Sequence, residues 1–192
     1  MKSVPSLPNA YKEICSIDLQ KDKKLLLLVN ALSVVIGLAL AIIGHFVVPV
    51  FTLFDLESGF GNYLIRFVVL ILSLAFYIVL HELVHGVAMK LCGTQKVKYG
   101  FTGMYAFTKS DDYYDKGTYI FIALAPVVLW GIVLALLTGL ASTEWFWVIY
   151  LVQICNLSGA AGDFYVTAKF WRFPKDILVR DYGVSMTVYA KK

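Results

Sequence analysis

His81, Glu82, Leu83, Val84 and His85 spell HExxH. On a helix, two histidines four residues apart face the same way one turn apart and can share one zinc ion. The glutamate beside them is then free to act as a general base on a metal-bound water. The chain holds three His and four Glu among 192 residues, so chance would supply this spacing roughly 0.001 times. The competing reading, a set of interfacial polar residues that bond between helices, accounts for polarity but not for spacing. A catalytic zinc has three protein ligands and a water, so a third ligand has to come from another element.

The elements that must position these residues are strongly apolar. The chain is 59% hydrophobic and 16% charged, with a mean hydropathy of +0.74, against about 45–50% apolar in soluble domains. Its apolar residues come in blocks long enough to cross a hydrocarbon core, which takes about 20 helical residues. The blocks run from Leu25 to Phe51, Tyr63 to Leu91, Thr118 to Ala141 and Trp145 to Phe164. The expectation is an all-α polytopic membrane protein, one domain over residues 1–192, with about four transmembrane helices. Residues 1–24 and 165–192 are then tails. The first block follows a polar segment and is too long for a signal-peptide core, so it reads as a retained span. Disorder, a disulfide scaffold and a nucleic-acid-binding module are excluded as main readings. The widely spaced Cys15, Cys92 and Cys155 read as free thiols.

Charge assigns sides. Five Lys precede the first block, five lie between Lys90 and Lys116, and six Lys or Arg follow from Lys169 to Lys192, whereas Asp55 to Asn62 and Ser142 to Glu144 contain none. Basic residues stay on the cytoplasmic side, so both termini are expected there. The net charge of +4 is explained by orientation and lipid headgroups, with the bilayer as partner. Between the second and third blocks, Val97, Tyr99, Phe101, Gly103, Tyr105 and Phe107 alternate with polar or small residues. This period of two predicts a short cytoplasmic β-hairpin over about 96–108.

Depth nominates the third ligand. His81 lies 18 residues after Tyr63 and Asp163 lies 18 residues after Trp145, so both sit about 27 Å from the outer end of their spans. Asp163 is therefore the candidate, set against a helix-end carboxylate that snorkels or pairs with Lys169. The small residues Ser158 to Gly162 favour close approach of the helices. His45 and Glu144 fall near the outer face. Asp111, Asp112 and Asp115 lack calcium-loop spacing. Pro126, inside the third block, reads equally as a packing kink or as a functional break.

A span ending in His81-Glu82-Leu83-Val84-His85-Gly86, a later span with Asn156 seven residues before Asp163, and a cytoplasmic hairpin between them resemble intramembrane metalloproteases of the site-2 protease type. More closely, the chain is similar to a family of small bacterial integral-membrane proteins known as putative zincin peptidases. The likeness includes Ala125-Pro126 and the tail from Lys175 to Gly183. Site-2 proteases carry an Asn, then prolines, then an Asp followed by Gly that completes the zinc site. Here Ser158, Gly159 and Gly162 stand where prolines are expected, and Phe164 follows the Asp. The resemblance implies zinc-dependent peptide-bond hydrolysis in or near a bacterial cell membrane, on a transmembrane or membrane-associated protein. Zn2+ would be held by His81, His85 and Asp163, and Glu82 would be the base. Asn156 either bonds the substrate backbone or bonds between helices. A catalytically silent zinc-binding adaptor and a hydrolase of non-peptide bonds use the same residues, and oligomeric state is open.

Overall fold

The computed structural model describes residues 3–18, 21–103 and 105–191. Lys2 and Lys192, counted in the charge pattern, and Met104 of the expected hairpin lie outside the described residues. The elements in chain order are β1 (Tyr11–Asp18), α1 (Lys23–Val47), a 3-10 turn (Val50–Phe54), α2 (Phe60–Leu91), β2 (Val97–Phe101), β3 (Ala106–Ser110) and β4 (Tyr113–Asp115). They continue with α3 (Lys116–Leu140), α4 (Thr143–Gly159), α5 (Ala161–Trp171), β5 (Ile177–Asp181) and β6 (Ser185–Lys191). Among the described residues, four stretches are long and apolar enough to cross a membrane: Lys23–Val47, Phe60–Leu91, Lys116–Leu140 and Thr143–Trp171. The chain nonetheless is not all-α. Of the described residues, 62% are helical and 18% are in strands, which form two sheets.

Two features depart from the sequence expectation. The residues taken as tails supply β1, β5 and β6 of a four-stranded antiparallel sheet in the order β1-β6-β5-β4, whose fourth strand comes from the segment between α2 and α3. The fourth span is two helices. Helical dihedrals stop at Ala160, which has φ −81° and ψ 14°, and α5 starts at the next residue. Gly159, the last residue of α4, is a poor helix former. The break puts Asp163 in the first turn of a new helix, where the exposed N–H groups favour a negative charge.

By contact density the chain divides into two compact units. One comprises Met1–Val29, Leu80–Pro126 and Gly162–Lys192 and contains both sheets; the other comprises Asn30–Val79 and Val127–Ala161. In the second unit, Trp147 Nε1 donates to Val48 O at 3.0 Å and Tyr150 Oη donates to Leu40 O at 2.8 Å. Gly44, lacking a side chain, lets the Tyr150 ring lie against α1. Arg66, a charge inside α2 that is only 2% exposed, donates to Thr52 O and Asp55 O and so closes the 3-10 turn. Large apolar side chains such as Leu38, Ile42, Leu72 and Leu136 remain exposed.

In the first unit, β5 is one of the two inner strands of the large sheet, with Ile177, Leu178, Val179 and Asp181 all buried. Asp115 caps α3, accepting from Thr118 N at 2.8 Å and from Thr118 Oγ1 at 2.8 Å. The β2–β3 pair is the expected hairpin, with Val97 opposite Ser110 and Tyr99 opposite Thr108.

Candidate metal centre

All the groups that meet here belong to the first unit. The last three turns of α2 carry His81, Glu82 and His85 on one side. The first turn of α5 brings Asp163 against them: one donor atom from each of His81, His85 and Asp163 lies within 4.8 Å of the other two. His81 Nε2 is 3.9 Å from Asp163 Oδ2, and the two imidazole rings stand 5.0 Å apart at 76°. Donors around a tetrahedral zinc, with bonds near 2.0–2.1 Å, are about 3.3 Å apart, so side-chain rotation of about half an ångström brings His81 and Asp163 to that spacing. Two neutral-capable imidazoles and a carboxylate are the donor set that suits such an ion.

His85 and Glu82 each have a second contact that fixes them. His85 Nδ1 donates to Ile122 O at 2.9 Å, because a carbonyl can only accept, which leaves Nε2 as its free donor atom. Thr108 Oγ1 lies 2.7 Å from Glu82 Oε2 and 2.9 Å from Glu82 O, so strand β3 holds the glutamate from the side. Gly86 follows the motif because any side chain there would run into the Tyr99 ring and hydroxyl. Tyr99 and Thr108 are directly paired across the hairpin, so their side chains leave the same face, the one turned to α2.

His45, Asp111, Asp115 and Asn156 have other partners. His45 Nδ1 accepts from Val50 N at 3.1 Å in the second unit. Asp111 is paired with Lys98 at 2.7 Å and Arg180 at 3.4 Å, and the hydrogen bond from Lys98 holds its carboxyl below the usual range. Asp115 is the cap of α3. Asn156 is fully buried in the second unit: Tyr77 Oη donates to its Oδ1 at 2.8 Å, and its Nδ2 faces Val127 O and Gln153 Oε1. A contact from Asn156 to a substrate would have to break one of these bonds.

Two residues near the cluster escape a reading of the sequence. Thr108 stands on the wrong face if one alternation is carried through the hairpin, because strand parity resets at the turn: odd-numbered Tyr99 opposes even-numbered Thr108. Asp181 is buried at the end of β5, accepting from Tyr119 Oη at 2.7 Å and from Gly183 N at 2.6 Å. Burial lifts its carboxyl from 3.8 to about 6 against the pull of these donors, and the charges of His85 and Glu82 act on it. An aspartate two residues before a glycine signals a tight turn, but nothing local signals its nearness to α2.

Two histidines, a carboxylate and an adjacent glutamate held by a threonine define a candidate metal centre of the two-histidine, one-carboxylate class. The chain belongs to the family described as "Putative zincin peptidase", whose model matches residues 74–178, more than half of its length and all of the cluster. Membership supports a zinc metallopeptidase in general. No curated protein and no solved structure matches the chain.

Proposed function

We propose that the protein is an HExxH-type zinc peptidase that cuts a peptide bond in or beside the membrane, with His81, His85 and Asp163 as zinc ligands and Glu82 as the base. The observation that carries this reading is the convergence of the three donor groups within 4.8 Å, from a helix and a second helix 78 residues later in sequence for Asp163 against His85 (163 − 85). Zinc supplies two things when bound: a water whose pKa falls to about 7 and polarisation of the scissile carbonyl.

The chain's own groups do the rest. His85 is held in one tautomer by Ile122 O. Thr108 occupies Oε2 of Glu82, leaving Oε1 to take a proton from the attacking water and return it to the departing amine. Four long apolar helices with exposed Leu, Ile and Val faces support insertion in a bilayer. The distribution of Lys and Arg supports cytoplasmic termini and a cytoplasmic side for the end of α2 that bears the motif. A cluster at the end of an apolar helix suits a transmembrane or membrane-associated substrate.

Purified protein should carry about one zinc per chain. Glu82→Gln, which replaces none of the three proposed ligands, should keep the metal and lose hydrolysis of single-span membrane substrates. Full activity in that variant would remove Glu82 from the mechanism.

A further inference from the structure

Pro126 is fully buried in the interior of α3, which continues on both sides of it from Lys116 to Leu140. In an uninterrupted helix the N–H of residue 126 would bond the carbonyl of Ile122, four residues earlier. Proline has no N–H, and its ring pushes that carbonyl aside. The carbonyl of Ile122, itself a buried residue, therefore loses its intrahelical donor, and a buried carbonyl without a partner is costly. The donor it finds is His85 Nδ1, at 2.9 Å.

We propose that Pro126 is a positioning residue: by withholding one backbone donor it reserves the Ile122 carbonyl for His85, which fixes the tautomer whose Nε2 is free to bind metal. A ligating histidine needs its second nitrogen engaged in this way, since the imidazole otherwise divides between two tautomers and two ring orientations. The helix gives up a hydrogen bond in α3 and the site gains a fixed ligand. The inference rests on His85 as a zinc ligand, but the tautomer claim can be read without metal.

The test compares three purified proteins: the parent, Pro126→Ala, and a protein carrying at position 126 the α-hydroxy analogue of alanine, which has neither ring nor N–H. Histidine labelled with 15N reports the His85 tautomer by NMR in metal-free protein, and competition with a chromophoric chelator gives zinc affinity. The parent should show Nδ1 protonated and Nε2 bare. Pro126→Ala should populate both tautomers and bind zinc on the order of tenfold more weakly, the lower end of the range for lost outer partners, while its metal-free form melts no lower than the parent. The ester variant should return toward the parent in both readouts, which a mere packing role for the ring would not produce. A parent-like tautomer and affinity in Pro126→Ala overturns the inference while leaving the zinc site standing; a parent that binds no zinc overturns the zinc reading itself. An ester variant that behaves like Pro126→Ala also overturns the inference, since the missing donor would then not be the cause.

Discussion

Thr108→Val deletes the one hydroxyl that holds Glu82 and changes the shape of the side chain little. That hydroxyl has a single hydrogen to share between Glu82 Oε2 at 2.7 Å and Glu82 O at 2.9 Å. A hydrogen bond to a charged group contributes about 1.5–3 kcal/mol. If most of this serves to keep the carboxylate aimed at the attacking water, the loss appears in kcat at about 1.4 kcal/mol per decade, or roughly 10- to 100-fold. Thr108 bonds Glu82 and is not one of the three proposed ligands, so zinc per chain should stay at the parent value. The assay is initial hydrolysis rates in detergent micelles with metal analysis of the same samples, and Thr108→Ser as the control that restores the hydroxyl. Valine kinetics within twofold of the parent, with metal and fold intact, would refute the idea that strand β3 orients the base.

Two more outcomes follow from the fold. Because burial raises the Asp181 carboxyl from 3.8 to about 6, the folded metal-free chain keeps a proton in that interval that the unfolded chain releases. This group's contribution to stability therefore falls as pH rises from about 4 to about 6 and is level above; Asp181→Asn should flatten that slope in thermal denaturation, and unchanged slopes would contradict it. Reporter fusions at the C-terminal end should read cytoplasmic and fusions near Ser58 external, the reverse result placing the site on the other side of the membrane.

What could be read from the sequence depended on the range over which each signal acts. HExxH is local and helical, so its residues could be named at once. Asp163 could be nominated because membrane thickness converts residue number into depth, although the helix break at Ala160 was not visible in an otherwise apolar run. The hairpin was legible from its alternation. The large sheet was not, because β1 pairs with β6, Tyr11 opposite Lys191. No local pattern specifies a partner so distant, and β1 alternates weakly, with Ile14 exposed and only Ile17 buried. Arg66 went unplaced because its partners are backbone carbonyls, which leave no mark in sequence. Pro126 was legible as a missing backbone donor inside the third block, but which side chain would claim the freed carbonyl is a tertiary fact.

The central claim is that Asp163 is the third ligand, and zinc content decides it. A carboxylate oxygen must come within about 2.0–2.2 Å of zinc to bind, and Asp163 is the carboxylate that α5 brings to His81 and His85. Of the rival carboxylates, Asp111 is engaged with Lys98 and Arg180, and Asp115 with Thr118. Zinc should be measured per chain in the purified parent, in Asp163→Ala and in the triple change of Asp111, Asp112 and Asp115 to Asn. The account predicts that the triple variant keeps its zinc and Asp163→Ala loses most of it. Zinc retained in Asp163→Ala and lost in the triple variant would contradict the account and move the third ligand to the segment after the hairpin.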